Sequence, residues 1–112
     1  MNIFEYYLSE INKLVVNHQN ELQLKNLDNL KNVNLEVPPD QFDFDLSCNI
    51  SLVLAKSNKL NSKNFAISLK NLLENKIKNF IKIEIAGPGF LNIKLSKLAM
   101  IKNINLILDN NQ

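Results

Sequence analysis

Two alternating stretches near the end of the chain raise the main question. Residues 81–85 read Ile-Lys-Ile-Glu-Ile and residues 90–95 read Phe-Leu-Asn-Ile-Lys-Leu, separated by a turn that holds Gly87-Pro88-Gly89. Side chains alternate faces along a strand, so the pattern predicts a β-hairpin. Ile81, Ile83 and Ile85 would join Leu91, Ile93 and Leu95 in one apolar face. The opposite face would carry Lys82, Glu84, Asn92 and Lys94, and with them Phe90. A large ring among polar neighbours is either covered by another segment or left for a ligand. Alternation alone leaves both open.

Earlier in the chain the period changes. Phe4, Leu8, Ile11 and Val15, widened by Tyr7 and Leu14, recur at helical spacing and predict a helix over 2–17. Residues 17–31 fit a short helix or a loop equally well. Residues 33–37 alternate and predict a strand, which Pro38-Pro39-Asp40 breaks because proline cannot donate to a ladder. Residues 42–46 alternate again, with Phe42, Phe44 and Leu46 on one side, and predict a second, antiparallel strand. A buried helix is expected over about 47–56, capped by Asp45 or Ser47, then a connection over 57–61. Ser62 is the expected cap of a third helix reaching Asn79, with Phe65, Leu69, Leu72, Leu73, Ile77 and Phe80 as its inner stripe and Lys70, Glu74 and Lys78 outside. Residues 96–108 predict a last helix along Leu98, Ile101, Ile104 and Leu108. The order α-β-β-α-α-β-β-α implies a two-layer α+β fold, helices on a small, mostly antiparallel sheet.

Length and composition narrow the class. A chain of 112 residues with 46% apolar content suits one domain with a real core. No apolar run reaches the ~18–20 residues of a membrane span, no signal peptide is evident, and one cysteine suits a reducing compartment, so a cytoplasmic protein is expected. All 13 basic residues are lysine, which excludes forked guanidinium recognition of phosphate. Charge is divided unevenly. Residues 1–46 hold three lysines against eight acids, a net −5, and residues 47–112 hold ten against three, a net +7. A basic second half fits a polyanionic partner, and equally a solvated surface in a lysine-rich composition.

Enzymatic chemistry is hard to assemble. His18 stands near a helix end, where it suits a capping role or plain exposure. Cys48 is expected in the first turn of helix two, as a small apolar residue rather than a nucleophile. Asp43 and Asp45, two apart, are explained by strand solvation and a helix cap more readily than by a bound cation. No nucleophile, base and orienting group come together, and no catalytic or metal residue is assigned. Phe90 with Asn92 is the most specific pairing. A ring on a sheet face can stack a base, and an amide two residues on can donate to and accept from a base edge. Lys82 and Lys94 on the same face could meet phosphates.

The stretch "EIAGPGFLNIKLS", residues 84–96, resembles the hairpin of the N-terminal additional domain of arginyl-tRNA synthetases. "EVPPDQFDFDLSCNISLVLAK", residues 36–56, resembles another segment of that domain, in the same order and at a matching separation. Three positions depart from the family pattern. Phe44 stands where glycine is usual, Cys48 where a small hydroxyl residue is usual, and Ser51 where alanine is common. The resemblance implies helices packed on a four-stranded antiparallel sheet. It also implies contact with the outer corner of arginine tRNA, where an aromatic and an amide two positions later engage an exposed D-loop base. Those roles fall on Phe90 and Asn92, and the candidate tRNA-contacting set is Phe90, Asn92, Lys82, Lys94 and Gly87. By the same resemblance residues 1–96 form the tRNA-binding domain, and residues 97–112 lead toward a catalytic domain of the same enzyme. ATP would belong to that complete enzyme, with no cofactor held by this chain. A stand-alone RNA-binding domain, or a protein-interaction module anchored by Phe90, is the competing expectation.

Overall fold

A computed structural model describes residues 2–39 and 43–101. Helix α1 (Ile3–Asn17) is followed by a short 3-10 helix (Asp28–Asn32), strands β1 (Leu35–Glu36) and β2 (Leu46–Cys48), helices α2 (Ile50–Asn58) and α3 (Ser62–Lys76), and strands β3 (Phe80–Ala86) and β4 (Phe90–Leu95). Residues 97–101 open a last helix. The strands form one sheet in the order β1-β2-β4-β3, antiparallel at every junction. Helices α2 and α3 pack on β3 and β4, and α1 packs against β1. This is the two-layer α+β arrangement expected from the pattern, with the 3-10 helix added.

Capping explains most element ends. The Asn2 side chain accepts from the Glu5 amide at 2.8 Å and starts α1, whose buried stripe is Tyr7, Ile11 and Val15. At its far end His18 is the C-cap, and its Nδ1–H donates to the Leu14 carbonyl at 2.8 Å. The cap of α3 is Asn61, not Ser62, because the Asn61 side chain takes the Asn64 amide at 3.0 Å. That helix stops at Lys76 rather than Asn79. Ile77 turns extended, Lys78 falls in the connecting turn, and Phe80 opens β3.

The first two strands differ from the expectation. Val33 donates its amide to the Leu30 carbonyl, which closes the 3-10 turn and leaves only Leu35–Glu36 to pair. The second strand is Leu46–Cys48 rather than 42–46, and Phe42 lies outside the described residues. Ser47 and Cys48 are therefore strand residues, and α2 begins at Ile50 with no side-chain cap. Asp45 caps nothing on α2. Its carboxylate accepts from the Leu95 amide at 2.7 Å while its own amide donates to the Ile93 carbonyl at 2.8 Å, so it extends the β2–β4 pairing with a side chain.

Strand β4 is the centre of the core. Leu91, Ile93 and Leu95 point into the helical layer with Leu46, Ile50, Leu54, Phe65, Leu69 and Leu73. On β3 the expected trio of isoleucines is broken by a bulge. Phe80 pairs with Leu95 and Lys82 with Lys94, so Ile81 is an extra residue. Phe80 takes the core position against Tyr7, with ring centroids 5.2 Å apart, and Ile81 is left 54% exposed. Beyond the bulge the alternation resumes with Ile83 buried. The outer edge of β3 is covered by Glu74, which pairs with Lys70 at 3.0 Å and accepts the Ile83 amide at 3.0 Å.

Polar groups tie α1 to the start of β3 and to the start of the last helix. The Asn79 amide donates to the Tyr7 hydroxyl at 3.2 Å and its carbonyl oxygen accepts from the Ser96 hydroxyl at 3.1 Å. Ser96 in turn caps the last helix through the Ala99 amide. The remainder of the helix expected over 96–108 lies outside the described residues.

One asparagine organises the long connection after α1. The Asn58 Oδ1 accepts from the amides of Lys25 and Asn26, at 2.7 and 3.0 Å, and its Nδ2 donates to the carbonyls of Asn26 and Leu54. Asn58→Ala leaves two amides without an acceptor and should lower unfolding stability by about 2 kcal/mol, read from the midpoint of a urea titration.

Candidate nucleic-acid interface

Burial of Leu91, Ile93 and Leu95 forces Phe90, Asn92 and Lys94 onto the opposite face of the sheet. Registers arrange that face in three rows. Phe90 sits opposite Ala86 at the turn end. Asn92 lies in a polar row that crosses all four strands, Glu36–Ser47–Asn92–Glu84. Lys94 and Lys82 face each other at the far end. Rows two residues apart are spaced by roughly 7 Å.

Phe90 is 40% exposed. The helices lie on the other side, so the ring is not sealed beneath them. Other large apolar side chains are exposed too, Ile67 and Ile81 among them, which is ordinary for a protein surface. Phe90 differs in being an aromatic on a sheet face, one row from a half-buried amide with no hydrogen bond among the described residues. Asn92 thus keeps two donors and an acceptor for a ligand.

The two lysines are held differently. The Lys82 Nζ is 5.7 Å from the centroid of the Phe44 ring and 4.0 Å from the Glu84 carboxylate, and its side chain is largely exposed. Lys94 is half-buried and reaches the Asp43 carbonyl at 3.5 Å. Phe44 itself is buried. Two cations directly across a strand pair repel each other and attract an anion.

The turn before Phe90 is unusually well held. Gly87 has φ +58 and Gly89 φ +145, both outside the range most residues adopt. The Gly89 amide donates to the Ala86 carbonyl at 3.3 Å. A Cβ at Gly87 would meet nothing within 4 Å, so its backbone is open to close approach. A Cβ at Gly89 would crowd the Ser51 Oγ at 3.1 Å and the Ser62 carbonyl at 3.4 Å. The Ser51 hydroxyl donates to the Gly89 carbonyl, and the Ser62 hydroxyl donates to the Pro88 carbonyl at 2.7 Å. Neither serine was legible as a turn anchor. Ser62 resembled a helix cap, and Ser51 lay on an apolar helix.

The other candidates take structural places. Cys48 is fully buried, and loss of hydration pushes its thiol up to about 12. The expected first-turn helix position is replaced by the end of β2. Among the described residues no cluster of three metal-ligating side chains occurs, and no helix is long and apolar enough to cross a membrane.

Residues 9–95 match the model of the arginyl-tRNA synthetase N-terminal domain. The chain belongs to that family. It is 37% identical over 108 residues to an arginine–tRNA ligase of Pelagibacter ubique, a match covering 94% of this chain and 19% of the relative. An arginine–tRNA ligase of Lawsonia intracellularis is 40% identical over 74 residues, covering 66% of this chain and 14% of the relative. One from Bartonella tribocorum is 37% identical over 100 residues, covering 88% and 17% respectively. The chain therefore spans less than a fifth of the length of these relatives.

Among the described residues, the sheet face beside the turn presents a ring, an amide and two lysines that a ligand could meet. The three departures from the family pattern each take a defined place. Phe44 is packed near Lys82, Cys48 is in the core, and Ser51 gains a bond to the turn. The thiol gives a pH signature. Its folded pKa of about 12 exceeds the ordinary 9.0, so the native state keeps a proton that the unfolded chain loses. Cys48 should favour the folded state fully below about pH 9 and progressively less toward pH 12, by about 1.4 kcal/mol per unit. Burial also raises the Tyr7 pKa, so stability falls with pH in both proteins, and urea titrations across that range should show a steeper fall in the parent chain than in Cys48→Ala.

Proposed function

We propose that this chain is the tRNA-recognition module of an arginine–tRNA ligase and that its open sheet face reads an unpaired nucleotide in the D-loop of arginine tRNA. Phe90 stacks the base, Asn92 meets its edge, and Gly87 lets the phosphate backbone approach the turn. Lys82 and Lys94 lie toward the phosphates. In this reading the chain contributes binding and orientation. ATP-dependent aminoacylation belongs to a catalytic domain of the same enzyme, which residues 97–112 lead toward, and residues 1–96 form the tRNA-contacting unit. The expected compartment is the cytoplasm, where tRNA is charged.

The observation that supports this best is the exposed Phe90 ring, held by a rigid turn one row from Asn92, whose side chain has no hydrogen bond among the described residues. Family membership supplies the nucleic acid, since the matched relatives are named as arginine–tRNA ligases. The row next to Phe90 is polar, Glu36–Ser47–Asn92–Glu84, with Lys82 and Lys94 beyond it, which favours a polar, charged ligand over an apolar protein surface.

Phe90→Ala should weaken binding of arginine tRNA by about 1–3 kcal/mol in a fluorescence titration at fixed low salt. Ile67→Ala, a truncation of a somewhat more exposed apolar side chain on α3, should leave affinity unchanged. Equal affinity of Phe90→Ala and parent would remove the basis of the proposal. Asn92→Ala should narrow the affinity difference between tRNA transcripts that vary in the base read from the D-loop.

A further inference from the structure

We propose that Ser51 and Ser62 are positioning residues for the reading ring, fixing the two carbonyls that precede Phe90 so that it meets a nucleotide already oriented. This rests on Phe90 being a stacking platform, as set out above. Pro88 and Gly89 are consecutive, and Phe90 follows directly. Each of their carbonyls accepts from a serine hydroxyl, and the serines come from separate helices, Ser62 opening α3 and Ser51 lying in the first turn of α2. Ser51 has no exposed surface, so its hydroxyl has no solvent alternative.

A hairpin tip is ordinarily among the more mobile parts of a fold. Here the tip is fastened at two adjacent atoms to the helical layer. Gly89 is also pressed so close to Ser51 and to the Ser62 backbone that a side chain there would crowd both. The direction in which Phe90 leaves the turn is thus set by the starts of two helices. Ordering a ligand-contacting side chain before binding reduces the entropy lost on association. The two hydroxyls therefore act on affinity through the ring without touching the nucleotide.

The test is a double-mutant cycle on this 112-residue chain with an arginine tRNA transcript, by fluorescence anisotropy at one low salt concentration. Ser51→Ala and Ser62→Ala are each measured with Phe90 present and with Phe90→Ala. Each serine variant should weaken binding roughly two- to tenfold when Phe90 is present. Ser62→Thr, which keeps a hydroxyl, should recover parent affinity. In the Phe90→Ala background the serine substitutions should have no further effect. Urea titration checks that each variant is folded, and Ser62→Ala, at the more exposed site, carries the cycle if Ser51→Ala is not.

The outcomes separate the two ideas. Serine variants that bind like the parent while Phe90→Ala binds more weakly overturn the positioning role and leave the reader intact. A serine loss that persists unchanged in the Phe90→Ala background also overturns it, because it then acts through general stability. If Phe90→Ala itself binds like the parent, the reader fails and the positioning role fails with it.

Discussion

The sidedness of β4 governs the rest of the molecule. Leu91, Ile93 and Leu95 are buried against the helices, and the strand's period of two leaves Phe90, Asn92 and Lys94 no other face. A shift of one residue would bury an amide and a lysine and expose three aliphatic side chains. The hydrophobic core therefore fixes which residues a ligand can meet. Pairing on both sides locks that choice. β2 holds one edge of β4 at Leu46, Ser47 and Cys48, and β3 holds the other along nearly its whole length. Asp45 lengthens the shorter ladder by using its carboxylate on the Leu95 amide.

The bulge on β3 follows from competing demands. Phe80 fills the space against Tyr7, and Ile83 fills the next core position. Two residues of regular strand cannot span those points, so Ile81 is displaced outward. Its displacement keeps Lys82 on the open face opposite Lys94. Such a cationic pair is unfavourable by itself, and the Phe44 ring and the Glu84 carboxylate near Lys82 relieve part of that cost. The same juxtaposition is favourable toward a phosphate.

Much of this was legible in the residues. Helical period exposed α1 and the inner stripe of α3, and strict alternation exposed the hairpin and the side on which Phe90 emerges. The element boundaries were less legible because one amide can serve two patterns. Val33 alternates like a strand residue, yet its amide closes a 3-10 turn. Phe80 fits the spacing of a helix stripe, yet it starts a strand. Ser62 and Asp45 are good cap residues, and both are drawn instead to distant backbone groups, Pro88 and Leu95. Asn58, with its bonds to Lys25 and Asn26, gave no local signal, because its partners lie some thirty positions away in sequence.

Glu74 has a consequence for how these molecules meet one another. β3 is one of the two edge strands, β1 being the other, and an edge strand ordinarily presents amides on which a second chain can build. The Ile83 amide is already bonded to the Glu74 carboxylate, which Lys70 steadies from the preceding helical turn. A strand docking along that border would have to displace a charged group from its hydrogen bond. The protein thus keeps a partly aromatic sheet face in contact with water while blunting the β3 border, one of the two where polymeric stacking could begin.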